Sequence, residues 1–222
     1  MFPANDDQTS KNAIYIELRR SIIMGHREPN DRFGVEDIAR QYKTSVTPVR
    51  DALQMLSQEG LVYIKPRSGY FVARTTLKQL RDLMDLRHIM EVASVKRAAS
   101  IISPKQIEEL RAVHAGYTGD DDISYDRYTE ENRRFHYLVA QSSGNNELAQ
   151  LLGRLHDRLA RFMVMRHAGE AMVRTHNEII DALEIHDVDR AREAMLDDIE
   201  RSHQSILDKV LQQKEIESWP VG

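Results

Sequence analysis

The sequence predicts a mainly helical protein in two parts, a small N-terminal domain of three helices with a strand hairpin and a C-terminal bundle of six helices. Three features of the 222 residues predict this class. Apolar residues recur at three- and four-residue spacing over most of the chain, which is the period of an amphipathic helix. Residues 61–73 alternate instead, as two short strands around a turn do. After residue 74 no further strand pattern is found, so we place the two domains at 9–74 and 78–213.

The N-terminal domain begins with a helix. From Ser10 onward apolar residues lie one turn apart, and Gly25 ends the pattern. A turn-rich link follows, then a short second helix over residues 35–42 and a third over residues 45–59.

The third helix carries the clearest start and stop signals. Ser45 suits the N-cap, because its hydroxyl can accept hydrogen bonds from backbone N–H groups of the first turn. Pro48 falls in that turn, where its missing N–H costs nothing, and Gly60 ends the helix. The apolar stripe that buries the helix consists of Val49, Leu53 and Leu56.

The residues at the start of this helix are not part of its apolar stripe and are therefore available for binding. Its free residues are Ser45, Val46, Thr47 and Arg50. Small polar residues and an arginine at the start of a helix, behind a short helix and a tight turn, are typical of the recognition helix of a helix-turn-helix domain. The hairpin that follows is then the wing, and its tip at residues 67–69 can approach phosphate.

The remainder of the chain has helical periodicity and no convincing strand. Breaks occur at Ser103-Pro104, at the acidic run 119–122, at 143–145 and at Asp187. The predicted helices span 78–101, 104–117, 125–142, 146–166, 171–186 and 188–212.

Composition narrows the class of protein. Residues 1–74 hold 11 Lys and Arg against 9 Asp and Glu, whereas residues 75–222 hold 20 against 26; this mild asymmetry allows the first part to meet phosphate. The absence of cysteine excludes a disulfide framework, a thiolate metal site and a cysteine nucleophile. No apolar run approaches the roughly 20 residues that span a membrane, and no signal-peptide pattern is found. We expect a cytoplasmic protein without a membrane partner.

The motif around the recognition helix resembles that of one family. IARQYKTSVTPVRDALQMLSQEGLV, followed by PRSGYFV, is similar to the winged helix of the GntR family of bacterial transcription regulators. Two positions depart from the family pattern, since Val46 replaces its usual arginine and Lys43 its usual turn glycine. The resemblance implies that Arg50 reads a guanine edge; the alternative is a solvated arginine paired with a carboxylate. The implied DNA-binding set is Lys43, Ser45, Val46, Thr47, Arg50, Arg67, Ser68 and Gly69.

The helical remainder resembles the FadR-type effector domain called FCD. The similar segments are DLMDLRHIMEVASVKRAA, NRRFH, SSGNNEL and HNEIIDALEIHDVDRAREAM. In that family an Asp-x-x-x-His pair and two further histidines hold a divalent metal. Carried over position by position, the resemblance implies a metal site at Asn132, His136, His176 and Asp198. Two histidines, one carboxylate and an amide oxygen suit Zn, Ni, Mn or Fe.

Two alternatives stay open in this domain. Asp198 and His203 lie equally far from the apolar stripe of the last helix, on opposite sides, so periodicity does not choose between them; the family spacing favours Asp198. Arg87 is the implied effector-binding residue, because a guanidinium clamps a carboxylate bidentately. Its alternative role is a salt bridge to Glu91, one helical turn further on.

We therefore expect a DNA-binding transcription regulator rather than an enzyme. It would be a repressor that binds a palindromic operator in double-stranded DNA as a homodimer and responds to a small organic acid in the bundle. A metal-dependent hydrolase-like enzyme is the first alternative, because two histidines and a carboxylate can activate water. A helical interaction module that binds no DNA is the second, although it would not need the exposed front of the third helix.

Overall fold

The computed structural model describes residues 6–114, 122–165 and 169–216. The chain divides after Thr75 into two compact units. Within the described residues the mainly helical fold with a small sheet is confirmed. The predicted helical residues 115–117 and 166 lie outside the described part of the chain, as do residues 119–121 of the acidic break.

The N-terminal unit has the element order of a winged helix-turn-helix. Its elements are α1 (Asp6–Ile23), β1 (Arg32–Phe33), α2 (Val35–Gln41), α3 (Val46–Gln58), β2 (Val62–Lys65) and β3 (Gly69–Val72). The three strands form an antiparallel sheet in the order β1-β3-β2, with Arg32 opposite Phe71 and Val62 opposite Val72. β1 was not expected, because two residues inside a turn-rich link carry no periodic signal.

One apolar core holds the N-terminal unit together. α1 contributes Ile14 and Leu18, and α3 contributes Val49, Leu53 and Leu56, all buried in the same cluster. Because these residues occupy one side of α3, its opposite side is left for solvent.

The described residues of the C-terminal unit form helices joined by short connections. Its elements are α4 (Leu77–Ile101), α5 (Pro104–Arg111), a 3-10 turn (Ala112–His114), α6 (Asp122–Ser142), α7 (Asn146–Met165), α8 (Gly169–Glu184) and α9 (Val188–Ile216). The second predicted helix is therefore shorter than expected, since α5 ends at Arg111. α6 begins earlier than expected, at the end of the acidic run.

α4 lies at the centre of this unit and contacts α6, α7, α8 and α9. Its start is fixed by a capping box, in which Thr76 accepts from the backbone N–H of Gln79 and the Gln79 side chain accepts from the backbone N–H of Thr76. A polar side chain on the inner face of α4 is thus carried between four other helices. None of the helices in the described ranges is both long and apolar enough to cross a membrane.

Candidate functional site

The front of α3 presents the polar face expected of a recognition helix. Ser45, Thr47 and Arg50 are exposed, whereas Pro48 behind them is buried. Ser45 is the N-cap residue and has extended backbone, but its side chain makes no capping hydrogen bond. That part of the prediction is wrong, and the consequence is an exposed hydroxyl at the front of the helix.

The two departures from the family pattern, at Lys43 and Val46, have different structural settings. Lys43 is exposed and has a φ of 51°, the left-handed conformation that glycine adopts at little cost. Val46 is half-buried and packs against the core of the N-terminal unit. Of the predicted DNA-binding residues around the start of α3, Val46 is therefore the one whose side chain is turned partly away from solvent.

The wing tip is the turn between β2 and β3. Ser68 donates its backbone N–H to the carbonyl of Lys65 at 3.0 Å and closes the turn. Gly69 has a φ of 113°, which side chains rarely adopt, and this explains a glycine at that position. Arg67 is exposed at the tip.

The C-terminal unit encloses a cluster of buried polar side chains, which we call the polar core. Helices α4, α6, α7, α8 and α9 all contribute to it. Burial of so many polar groups is costly unless they are paired or hold a ligand. The members are Arg87, Glu91, Asn132, His136, His156, Thr175, His176, Asp198 and Ser202.

Arg87 lies in the middle of the polar core with 0% of its surface exposed. Its Nε donates to Glu91 Oε1 at 2.7 Å, and its Nη1 donates to Ser202 Oγ at 2.8 Å. Its Nη2 lies 3.2 Å from both Asp198 Oδ2 and His136 Nε2. The structure therefore contains the salt bridge to Glu91 and adds a second one to Asp198.

The two ring nitrogens of His136 have different neighbours. A guanidinium only donates, so His136 Nε2 accepts from Arg87 Nη2, and the other ring nitrogen is Nδ1. That nitrogen lies against Glu91 Oε2, in contact but not aligned for a hydrogen bond. His156 Nε2 lies 2.9 Å from Glu91 Oε1, and its ring stacks on that of His136 with centroids 4.9 Å apart.

Three of the four predicted metal ligands meet in the polar core. His136 Nε2 lies 3.5 Å from Asp198 Oδ2, and His176 Nε2 lies 3.8 Å from Asp198 Oδ1. One ligand atom from each of the three residues lies within 4.8 Å of the other two. Glu91, His136 and His156 form a second group with the same spacing.

The fourth predicted ligand, Asn132, is 3% exposed and lies one turn before His136 on α6. Neither its amide oxygen nor its amide nitrogen has a hydrogen-bond partner within the described residues, and the same holds for His176 Nε2. Buried polar atoms without partners are rare in folded proteins. An ion, water or ligand would supply the partners that these atoms lack.

His203 is the competitor of Asp198 for the last ligand position. It is half-buried, and in the described part of the chain it belongs to neither group of clustered ligand atoms. The rotation of α9 instead brings Asp198 to His136 and His176.

Burial and pairing set the charges of the polar core. Burial raises the pKa of Glu91, but the neighbouring His136 and Arg87 outweigh it and hold that pKa well below its usual range. Burial lowers the pKa of Arg87, but Glu91 and Asp198 outweigh it and raise that pKa above its usual value. Burial lowers the pKa of His156 to about 4 and the pKa of His176 well below its usual value. At neutral pH an ionised Glu91 and a charged Arg87 therefore face uncharged His156 and His176.

Sequence reasoning missed two histidines, one inside the polar core and one beside it. His156 lies between Leu152 and Leu159 on the buried face of α7, and a polar residue within an apolar stripe was the signal for it. His114 lies in a 3-10 turn, where helical spacing gives no signal. His114 contacts both His176 and Glu131.

Known families match both units. The gntR family of bacterial regulatory proteins matches residues 10–72, and the FCD domain matches residues 82–201. The second match falls on the helices that form the polar core.

Relatives of similar length match most of the chain. A regulator in an unstable DNA locus of Streptomyces ambofaciens is 31% identical over 206 residues, covering 87% of this chain and 86% of the relative. The transcriptional repressor RspR of Escherichia coli K12 is 27% identical over 208 residues, covering 91% of each chain. A crystal structure of a GntR regulator from Rhodococcus sp. RHA1 has the same fold, with a TM-score of 0.69 at 23% identity over 90% of this chain and 98% of that one.

Proposed function

Because the chain belongs to the GntR family of bacterial regulatory proteins and carries an FCD domain, we propose that it is a repressor whose affinity for DNA is set by a ligand in the polar core. The family consists of DNA-binding transcription regulators, not enzymes, so the histidines are not assigned to hydrolysis. The observation that carries the proposal is the buried Arg87 among two histidines and two carboxylates, in a unit that also buries the unpartnered polar atoms of Asn132 and His176. A core of this kind is built to take a ligand rather than to stabilise the fold.

The front of α3 is the proposed base-reading surface. Arg50 is exposed there and can pair with the two acceptors of a guanine edge in the major groove. Ser45 and Thr47 offer hydroxyls beside the N-terminus of α3, where backbone N–H groups favour phosphate. Lys43 and Arg67 would meet the phosphate backbone, with Ser68 and Gly69 shaping the wing tip; Val46 would contribute at most an apolar contact.

The donor set of the polar core fits a divalent metal ion. Asn132, His136, His176 and Asp198 would hold it, and the bare Nε2 of His176 opposite Asp198 Oδ1 supports this assignment. Neutral imidazoles and a carboxylate suit Zn, Ni, Mn or Fe. The bound ion would supply positive charge and open coordination positions. Arg87 Nη2 now holds the lone pair of His136 that such an ion would use, so ion and guanidinium compete for it.

Charge balance favours an anionic effector. Glu91 and Asp198 bring two negative charges against the single positive charge of Arg87, and a divalent ion reverses that balance to a net positive one. A buried site with excess positive charge is stabilised by an anion. We infer that a small organic acid binds here through one carboxylate, with Arg87 as its guanidinium partner.

The proposed mechanism is a population shift in a homodimer acting in the cytoplasm. Two recognition helices would bind the half-sites of a palindromic operator. An effector that binds one arrangement of the dimer more tightly shifts the population toward it, and the half-sites no longer fit. The repressor role is supported by the name of the RspR relative.

A gel shift with the DNA upstream of the protein's own gene tests the DNA-binding surface. Arg50→Ala should weaken operator binding by about 1–3 kcal/mol and relax one base position. Arg97→Ala, which removes an exposed arginine on α4, is the control and should leave binding unchanged. Equal operator affinity of Arg50→Ala and the parent chain would sink the assignment.

Elemental analysis before and after dialysis against a chelator tests the metal. His136→Ala and His176→Ala should lose the ion, Asn132→Ala should lose part of it, and His203→Ala should keep it. Asn132→Asp should bind more tightly, because it adds an anionic oxygen one turn before His136. If the parent chain holds no Zn, Ni or Mn, the acid binds directly to Arg87 and the histidines. In either case a matching carboxylate should raise the melting temperature.

A further inference from the structure

The ring of His176 is held on both of its sides by neighbours outside the predicted ligand set. Phe135 stacks on its face, with centroids 3.8 Å apart and an interplanar angle of 9°. His114 Nε2 lies 2.7 Å from His176 Nδ1. The ring therefore has a fixed plane and only one nitrogen, Nε2, turned toward Asp198 Oδ1, at 3.8 Å.

A carboxylate stands behind His114. Glu131 Oε2 lies 3.0 Å from His114 Nδ1, while Glu131 Oε1 accepts from Arg127 Nε at 2.8 Å. The side chains of His114 and Glu131 are 5% and 12% exposed, so water reaches the pair little. Glu131, His114 and His176 form one continuous chain of hydrogen bonds that ends in the polar core. We call this hydrogen-bonded chain the relay.

The donors and acceptors along this chain can be assigned from its outer end. An ionised carboxylate only accepts, so His114 Nδ1 must carry a proton. Arg127 already pairs with Glu131, so the buried His114 is not needed to balance that carboxylate, and a neutral ring with its proton on Nδ1 has a lone pair on Nε2. His176 Nδ1 must then be the donor of the 2.7 Å bond. The neutral ring of His176 consequently has its lone pair on Nε2.

We propose that Glu131 and His114 are positioning residues that fix the tautomer of His176 and aim the lone pair of its Nε2 into the polar core. This inference adds positioning residues to the metal site of the proposed function, and their role in metal binding rests on that site. Two lone-pair atoms, His176 Nε2 and Asp198 Oδ1, face each other with no proton between them. A cation there relieves their repulsion, and a histidine ligand usually has its other nitrogen held by a carboxylate or carbonyl in this way.

The tautomers can be measured without any metal. In the full chain labelled with 15N and stripped with a chelator, long-range proton–nitrogen NMR spectra distinguish protonated from bare imidazole nitrogens. We expect His176 to be protonated at Nδ1 and bare at Nε2, and His114 to be protonated at Nδ1. A proton on Nε2 of His176 in the metal-free parent chain would overturn the relay.

Metal affinity tests what the relay does. His114→Phe keeps an aromatic ring beside Phe135 but removes the acceptor, whereas His114→Gln places an amide oxygen where it can accept from His176 Nδ1. Competition with a chromophoric chelator for Co or Zn should show about 10–100-fold weaker binding for His114→Phe, the usual effect of losing such a partner. His114→Gln should recover most of that loss, and His88→Phe, at an exposed position on α4, should show none.

The outcomes separate the two proposals. Equal metal affinity of His114→Phe and the parent chain would overturn the positioning role, even if both fold equally well. A parent chain with the expected tautomers that binds no Zn, Ni, Mn or Co keeps the relay and overturns the metal site. Glu131→Gln checks the outer end, since it retains an acceptor for His114 and should preserve the tautomer of His176.

Discussion

Lys43 combines a left-handed backbone conformation with an exposed side chain at a predicted DNA-binding position. Its φ of 51° lies in the left-handed region, and its side chain is exposed in front of α3. A residue with a Cβ costs roughly 1–2 kcal/mol in that conformation, so a glycine would be the more stable choice. We interpret the lysine as a phosphate contact retained despite that cost.

Lys43→Gly and Lys43→Ala separate the two effects. Lys43→Gly should raise the free energy of unfolding by about 1 kcal/mol, whereas Lys43→Ala should leave it nearly unchanged because the backbone strain remains. Both should weaken operator binding across all sequences and reduce its salt dependence by about one ion. Urea unfolding and gel shifts at several salt concentrations measure these quantities. If both variants bind DNA like the parent chain, Lys43 is a solvated turn residue.

Buried histidines of the polar core make stability depend on pH. The pKa of His156 is about 4 in the folded chain and about 6.5 in an unfolded one. Between these values the unfolded chain binds a proton that the folded chain does not, so the free energy of unfolding falls as pH falls. From pH 7.5 to pH 5 the contribution of His156 is about 2 kcal/mol.

His156→Gln should remove that contribution. The amide can still donate to Glu91 Oε1, as His156 Nε2 does at 2.9 Å, but it does not titrate. Urea unfolding at pH 7.5 and pH 5 should therefore show a smaller loss of stability for the variant than for the parent chain. The lower limit of pH 5 stays above the pKa of unfolded glutamates, which is about 4.3. An identical loss in both proteins would mean that His156 is charged, or exposed to water, in the folded chain.

At the scale of elements, the sequence predicted the helices and strands that have a periodic apolar pattern, and it missed the short elements that have none. The stripe Val49, Leu53 and Leu56 marked α3, and the alternation around residues 62–72 marked the hairpin. β1 has two residues and forms because it pairs with the edge of β3. A pattern within the local sequence does not predict such a pairing. The 3-10 turn that ends in His114 was absorbed into a longer predicted helix for the same reason.

The residues of the polar core also fall into a set that sequence spacing predicted and a set that it missed. Asn132, His136, His176 and Asp198 followed from a motif with fixed spacing, and three of them lie together. His156 and His114 join through tertiary contacts to Glu91 and His176. Such contacts depend on how α7 and the turn after α5 pack against α4 and α8, which the spacing within one helix does not determine.

The start of α4 can be tested as an element. Thr76 and Gln79 close a capping box there, and removing such a cap typically costs about 1 kcal/mol. Thr76→Ala should therefore lower the free energy of unfolding of the C-terminal unit by about that amount, while Thr75→Ala, one residue outside the cap, should change it by less than half as much. Circular dichroism during urea unfolding measures both. Equal losses would show that α4 is fixed by packing alone.

At the scale of the whole molecule, the surface proposed to bind DNA and the site proposed to bind the effector lie in two compact units with separate cores. The N-terminal unit holds the exposed face of α3, and the C-terminal unit holds the polar core. A single recognition helix reaches only a few base pairs, so one copy of the chain would read too little sequence to select an operator in a genome. Two copies related by twofold symmetry double the site and require a palindrome.

We therefore predict a homodimer on DNA. Sedimentation of the purified protein should give twice the chain mass of 25.7 kDa. The operator should lose affinity when one half-site is scrambled, and also when about 5 base pairs are inserted between the half-sites, because the insertion turns one half-site to the opposite face of the helix. The matched control is a DNA of equal length with insertions outside the palindrome, which should bind normally. A chain that sediments as a monomer and binds an isolated half-site as tightly as the full operator would contradict the dimer. It would also remove the proposed mechanism, since an effector in the polar core would then have no spacing between recognition helices to change.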